Sequence, residues 1–198
     1  MSHKIKKIEV VKPGTIVRTE TGAILRASST VTLVQSDENN ILIDTSSKKD
    51  RDLLLQGLGE QGLTPNDIDI ILITHQHRDH IGNYELFTSA RIYTHSLCTR
   101  IPESVKIQSF PFSLTQNIEF IETPGHSWDA ITVIVKMDKT TYAITGDAIP
   151  IKSNYDNWIP PIVHVDAKRA LESMKKIVQI ADIIIPGHDA PFTIKNTK

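Results

Sequence analysis

The segment His75-Gln76-His77-Arg78-Asp79-His80 places three imidazoles and a carboxylate within six consecutive positions. In an extended chain residues two apart point to the same side, so His75 and His77 can grip one cation together. Asp79 and His80, expected at the start of a short helix, can face a second. Imidazole and carboxylate suit Zn²⁺, Fe or Mn, and the absence of cysteine from the group argues against a thiolate structural zinc. Further along the chain, His126 gives a three-histidine site with His75 and His77, and His188 completes a second group with Asp79 and His80. Asp147 carries two oxygens and can bridge a pair of cations about 3.5–4 Å apart.

These residues share a setting. The apolar runs 69–73, 118–122, 141–145 and 183–185 each stop and turn into Thr74-His75, Thr123-Pro124-Gly125-His126, Gly146-Asp147 and Pro186-Gly187-His188 respectively. Glycine permits the sharp turn, and a side chain projecting from a strand end is held more rigidly than one on a long loop. Further strands are expected at 4–11, 15–19, 30–36, 41–44, 91–94, 105–110 and 131–137 from short β-branched runs bounded by turn residues. One helix is expected over 49–61, with Leu53, Leu54 and Leu58 as its apolar stripe and Gly62 ending it. Another starts from an Asp166 N-cap, with Ala170, Leu171, Met174, Ile177 and Val178 inward. The mixture reads as layered α/β, two packed sheets with helices outside.

Bulk composition narrows the class. The chain has 198 residues, 22 Lys+Arg against 23 Asp+Glu for a net charge of −1, eight histidines and one cysteine, Cys98. That length suits one domain spanning 1–198. The balanced charge excludes the strongly basic chain expected of a protein that holds nucleic acid mainly through phosphate charge, and leaves room for a local basic patch. A single cysteine forms no internal disulfide, and no long apolar run or leader-like start is visible, so a soluble cytoplasmic protein without membrane contact is expected. His3 and His95 read as structural or surface residues. His164 lies in a Pro-rich aromatic loop where substrate can pass.

Thr74-His75-Gln76-His77-Arg78-Asp79-His80, Thr123-Pro124-Gly125-His126, Thr145-Gly146-Asp147 and Ile185-Pro186-Gly187-His188, preceded by Ile41-Leu42-Ile43-Asp44, resemble the ordered motifs of the metallo-β-lactamase superfamily. The resemblance implies a four-layer αββα sandwich of two mixed sheets with a dinuclear, usually zinc, centre at one sheet edge. It implies that His75, His77 and His126 hold one metal, that Asp79, His80 and His188 hold the other, and that Asp147 bridges. Asp44 is similar to an early aspartate of the family that supports the ligands without binding metal. The segment 51–67, with His80-Ile81-Gly82-Asn83 and Pro186 to Phe192, is closest to a group described as endoribonucleases. The loop 149–164 does not match that group. The bridging Asp147 and the absence of a cysteine ligand differ from the antibiotic-degrading members, and His77 stands where oxygen-reducing diiron members have Glu.

The leading expectation is therefore a hydrolase with two divalent metal ions, zinc first with iron or manganese open, that uses a metal-bridging hydroxide oriented by Asp79 or Asp147. Two substrates stay open. One is single-stranded RNA, for which Lys4, Lys6, Lys7, Lys175, Lys176, Lys195 and Lys198 offer phosphate contacts. The other is a small ester, lactone or thioester, for which Trp128, Tyr155, Trp158 and His164 can wall a pocket. The alternative activity is a mononuclear iron persulfide dioxygenase using His75-like positions, His126 and Asp147. A binding module without catalysis is disfavoured because all seven ligand positions are filled. A homodimer is compatible with exposed sheet edges.

Overall fold

The computed structural model describes residues 4–194. His3, Lys195 and Lys198, singled out above, lie outside that range. The first sheet comprises β1 (Ile5–Lys12), β4 (Val31–Ser36), β5 (Asn40–Ile43), β6 (Ile70–Leu72), β7 (Arg91–His95) and β8 (Val105–Ile107) in that spatial order. β4 is antiparallel to both β1 and β5, and the run from β5 to β8 is parallel. The second sheet runs β14 (Phe192–Thr193), β13 (Ile183–Pro186), β12 (Thr140–Gly146), β11 (Ile131–Met137), β10 (Ile118–Glu122), β9 (Phe112–Thr115). A separate hairpin joins β2 (Thr15–Arg18) and β3 (Ile24–Ser28).

Alternation along the strands builds three apolar layers. Ile41, Ile43 and Leu72 from the first sheet meet Phe120, Val133 and Ile144 from the second in a core between the sheets. The intervening residues Leu42 and Ile71 face Leu54 and Leu58 of α1 (Arg51–Glu60). Ile121, Ile134 and Ile184 face Met174 and Ile177 of α3 (Ala167–Ile180). The result is the expected αββα arrangement. A short α2 (Lys152–Asn157) lies in the loop before α3.

Helix signals act as the sequence suggests. Asp166 accepts from the Arg169 amide at 3.0 Å as N-cap of α3, and Gly62 takes φ +73° just beyond α1. Two expectations are corrected. Leu53 is 54% exposed, because the buried face of α1 carries Leu54, Gly57 and Leu58 instead. No α-helix follows Asp79: residues 78–80 form a turn, and only a 3₁₀ turn, Tyr84–Leu86, comes after it. The reason is tertiary. The Gly82 amide donates to the Ser46 carbonyl at 2.7 Å, and the Asn83 side-chain amide donates to the Thr45 and Ser47 carbonyls at 2.8 Å each. Those bonds draw the segment onto the loop after β5 in place of helical pairing.

Topology sets where the strand ends fall. β12 and β13 are parallel, and β10 runs in the same sense because β11 is antiparallel to both β10 and β12. Three C-terminal strand ends of the second sheet therefore lie along one edge. β5 and β6 bring theirs to the facing edge, where the Ile131 amide donates to the Thr74 carbonyl at 2.9 Å. None of the helices among the described residues is long and apolar enough to cross a membrane.

Candidate metal centre

Seven side chains converge where these ends meet. His75 Nε2 and His77 Nδ1 are 3.1 Å apart, and His126 Nε2 lies 3.2 Å from the former and 2.9 Å from the latter. Nitrogens about 2.0–2.1 Å from a tetrahedral zinc are separated by about 3.3 Å, so the trio approximates three corners of such a site. His188 Nε2 lies 3.2 Å from Asp147 Oδ1 and 3.5 Å from Asp79 Oδ2, and His80 Nε2 is 3.4 Å from the same Asp147 Oδ1. The other Asp147 oxygen, Oδ2, is 3.4 Å from His126 Nε2. One carboxylate thus turns an oxygen to each group.

The surroundings fix which ring nitrogen points inward. A carbonyl or carboxylate oxygen can only accept, so the Nδ1 atoms of His126, His188 and His80 carry protons donated to Val163 O at 2.7 Å, Ser28 O at 3.0 Å and Asp44 Oδ2 at 2.7 Å. Each Nε2 is then left as a lone pair facing the cluster. Asp44 is held in turn by the Thr74 amide and hydroxyl, both at 2.8 Å. His80 Nε2 and Asp147 Oδ1 are fully buried and make no hydrogen bond. Leaving such atoms unsatisfied costs about 1–3 kcal/mol each, which a cation between them removes. The donor set and these orphaned atoms fit a divalent metal.

Charge follows the same division. Burial opposes protonation of His80 and His188, yet carboxylates outweigh it and push both upward, Asp44 and Asp147 at His80 and Asp147 with Asp79 at His188. Burial would raise Asp147, but His188 and His80 hold it well below the usual carboxylate range. His75 and His77 are pulled down by burial and by the neighbouring imidazoles.

Residues 25–104 match the family described as the Metallo-beta-lactamase superfamily. Over 182 residues the chain is 41% identical to a protein of Methanocaldococcus jannaschii named "Probable metallo-hydrolase", covering 92% of this chain and 86% of that one. The chain belongs to the metallo-β-lactamase superfamily. It is also 34% identical over 179 residues to metallo-beta-lactamase domain-containing protein 1 of Xenopus laevis, covering 87% of this chain and 76% of the relative. That is the group to which the segment 51–67 points. The fold resembles that of Bacillus thuringiensis AiiA, solved as a mutant with N-decanoyl-L-homoserine at its active site, with a TM-score of 0.72, 19% identity, and coverage of 96% of this chain and 94% of that one. The protein is a metallo-hydrolase of this superfamily with a candidate metal-binding His/Asp cluster.

This metallo-hydrolase has a cavity of about 150 Å³ over the cluster. The β2–β3 hairpin contributes Ile16, Arg18 and Ile24 to its wall, and the loop before α3 contributes Pro161, Ile162 and Val163. Of the substrate-side candidates, Trp128 lines a neighbouring cleft with His77. The other three lie elsewhere. Tyr155 stacks on Phe192 at 5.3 Å within the core under α3, Trp158 takes a left-handed conformation at the end of α2, and His164 donates to the Pro161 carbonyl at 2.6 Å. None of them walls the cavity over the cluster. His95 bonds Glu122 at 3.0 Å and stacks on Phe110.

None of the described lysines raised for RNA lines this cavity. Lys6 pairs with Asp37 at 3.1 Å, Lys7 with Glu9 at 3.5 Å, and Lys176 donates to the Glu122 carbonyl. Sequence reasoning missed the role of Thr74 and the pair Lys12–Asp50, which clamps the end of β3 at Ser28. Lys12 Nζ is 3.0 Å from Asp50 Oδ2, donates to Ser29 O at 3.1 Å and also bonds the Ser28 hydroxyl. The Ser29 amide in turn donates to Asp79 O at 3.0 Å. The unusual feature in the sequence was a lysine ending an otherwise apolar stretch, Val10-Val11-Lys12.

Proposed function

We propose that this chain hydrolyses a small carboxylic ester-type bond, in an ester, lactone or thioester, with two divalent cations. His75, His77 and His126 bind one, Asp79, His80 and His188 the other, and Asp147 both. The observation that carries the reading is Asp147, whose Oδ2 lies 3.4 Å from His126 and whose Oδ1 lies 3.2 Å from His188. A mononuclear iron site built on His75, His126 and Asp147 leaves Asp79, His80 and His188 gathered without a task. Zinc suits the all-N/O set and the tetrahedral spacing of the three histidines; iron and manganese accept the same donors.

Bound metals would supply Lewis acidity and a water whose pKa falls to about 7. The protein supplies the rest. Asp79 is the more open of the two cluster aspartates, with 24% of its side chain exposed, and lines the cavity mouth, so its carboxylate is placed to take a proton. Asp44, Ser28 O and Val163 O hold three imidazoles in one tautomer and orientation. Ile16, Ile24, Ile162 and Val163 give the mouth an apolar rim that excludes water and accepts an uncharged acyl group. A volume of about 150 Å³ suits a small substrate, and among the described residues none of the lysines first considered for RNA lines it.

Counting metals in purified protein, then assaying the same batch on a thiophenyl ester, an acyl lactone and single-stranded RNA, tests this reading. Two metals per chain and ester-type turnover abolished in His126→Ala are expected. One iron per chain with oxygen consumption on glutathione persulfide, or preferential RNA cleavage, would replace it.

A further inference from the structure

The geometry points to a second binding site: we infer that the substrate carries a phosphate group, bound in a basic cleft that opens beside Asp79. This rests on the hydrolase reading above and names its substrate class further. The cleft measures about 710 Å³, and Ala27 and Asp79 belong both to its wall and to that of the cavity over the metal cluster. The two spaces therefore adjoin across Asp79, and a substrate with its scissile carbonyl at the cluster can extend into the cleft.

Four cations line this cleft: Arg26, Lys48, Lys49 and Arg78. Against them stand Glu85 and Asp79, and Asp79 is the carboxylate assigned to a metal. Glu85 reaches only Lys48, at 3.9 Å between two well-exposed side chains, a contact of little energetic weight. Arg26 spends one guanidinium nitrogen on Asp50, which anchors it while half of its side chain stays open. Lys49 and Arg78 pair with no carboxylate among the described residues. Arg78 also sits between His77 and Asp79, so its backbone is fixed relative to the cluster.

Unpaired cations on a convex face are ordinarily just solvated. Here they line a concavity whose other walls are apolar, with Leu25 68% exposed and Ile81 and Tyr84 beside it. Such a cleft fits an anion attached to a compact organic body. Phosphate is favoured over carboxylate because a dianion can take a bidentate arginine and lysine contacts together. A single-stranded nucleic acid needs a basic groove several nucleotides long, and Lys6 and Lys7, engaged by Asp37 and Glu9, do not extend this one. In the reaction water adds to the carbonyl carbon, the acyl C–O bond breaks, the proton passes to the departing alcohol, and the phosphate ester stays intact.

The test uses two esters of the same acid and alcohol that differ only in a phosphate on the alcohol, with metal-loaded full-length protein. The phosphorylated ester should have a KM about tenfold lower. The double variant Arg78→Ala/Lys49→Ala should raise that KM at least tenfold more than the KM for the neutral ester, and Arg78→Lys should recover part of the difference. Calorimetry should show the phosphorylated alcohol product binding wild type and weakened to the same extent in the double variant. Equal KM values for the two esters, or equal effects of the variant on both, would overturn the phosphate site while leaving hydrolysis of the neutral ester, lost in His126→Ala, as separate support for the hydrolase reading. Cleavage of a single-stranded oligonucleotide faster than either ester would overturn the small-substrate assignment.

Discussion

Asp44 accepts the Nδ1 proton of His80 at 2.7 Å, and by doing so aims the opposite nitrogen of His80 at Asp147. Asp44 itself sits at φ +60°, an uncommon conformation for a non-glycine residue, secured by two bonds from Thr74. Replacing Asp44 with Asn keeps the shape but removes the charge and lets an amide donor compete for the imidazole. Affinity for one of the two metals should fall about 10–100-fold with the other little changed. Stepwise metal titration by calorimetry reads this directly; two unaltered binding steps would count against the role.

Gly187 is required by a close approach. A Cβ there would lie 2.1 Å from Asp147 Oδ1, whereas at Gly59 it would meet nothing within 4 Å. Gly187→Ala should therefore displace the shared carboxylate, lowering bound metal below two per chain and turnover at least 100-fold, with an unchanged circular dichroism spectrum. Gly59→Ala should retain full metal and activity. Equal behaviour of the two variants would contradict the assignment.

The buried pair Lys12–Asp50 links stability to pH. Burial opposes ionisation of Asp50, but hydrogen bonds from Ser28, Lys12 and Arg26 and the charge of Lys12 outweigh it and lower its pKa. A carboxyl whose folded pKa is lowered contributes stability that is present above its unfolded pKa, about 3.9, and is lost as pH falls through the lower folded value. Urea midpoints should drop more steeply below about pH 4 in wild type than in Asp50→Asn. Lys12→Met, which leaves Asp50 to Ser28 and the half-exposed Arg26, should cost about 1.5–3 kcal/mol at pH 7, the worth of a hydrogen bond to a charged group.

The apolar rim predicts a kinetic effect without a metal effect. Ile162 is 65% exposed and walls the cavity without touching the cluster through any hydrogen bond. Ile162→Asp should lower kcat/KM for an acyl ester about 5–30-fold, the equivalent of about 1–2 kcal/mol of apolar contact, at constant metal content. A loss confined to metal binding would show the loop acting through Val163 and His126 instead.

Much of this was legible in the chain because the strongest patterns lie where the energy lies. The strands 118–122 and 131–137 form at the expected bounds, both buried between sheet and sheet or sheet and helix. Strand β3 went unseen since its first three residues are exposed and pairing with β2 holds it. β9 and β14 are short edge strands with little periodicity to show. The absent helix after Asp79 depends on backbone acceptors in the loop after β5, which leave no trace in local propensity. The cluster residues were visible as His and Asp at strand ends. Two of the groups that orient them, Ser28 O and Val163 O, are main-chain carbonyls that any residue could provide. The loop aromatics misled because Tyr155 serves the core under α3, while Pro161, Ile162 and Val163 face the cavity.

One carboxylate, Asp147, is assigned to both metals. Crystals of the metal-loaded protein measured on both sides of the zinc absorption edge give the decisive reading. Two anomalous peaks about 3.5–4 Å apart are expected, one among His75, His77 and His126 and one among Asp79, His80 and His188, with an Asp147 oxygen on each. A single fully occupied peak at the three histidines, with Asp147 turned away from the second group, would contradict it.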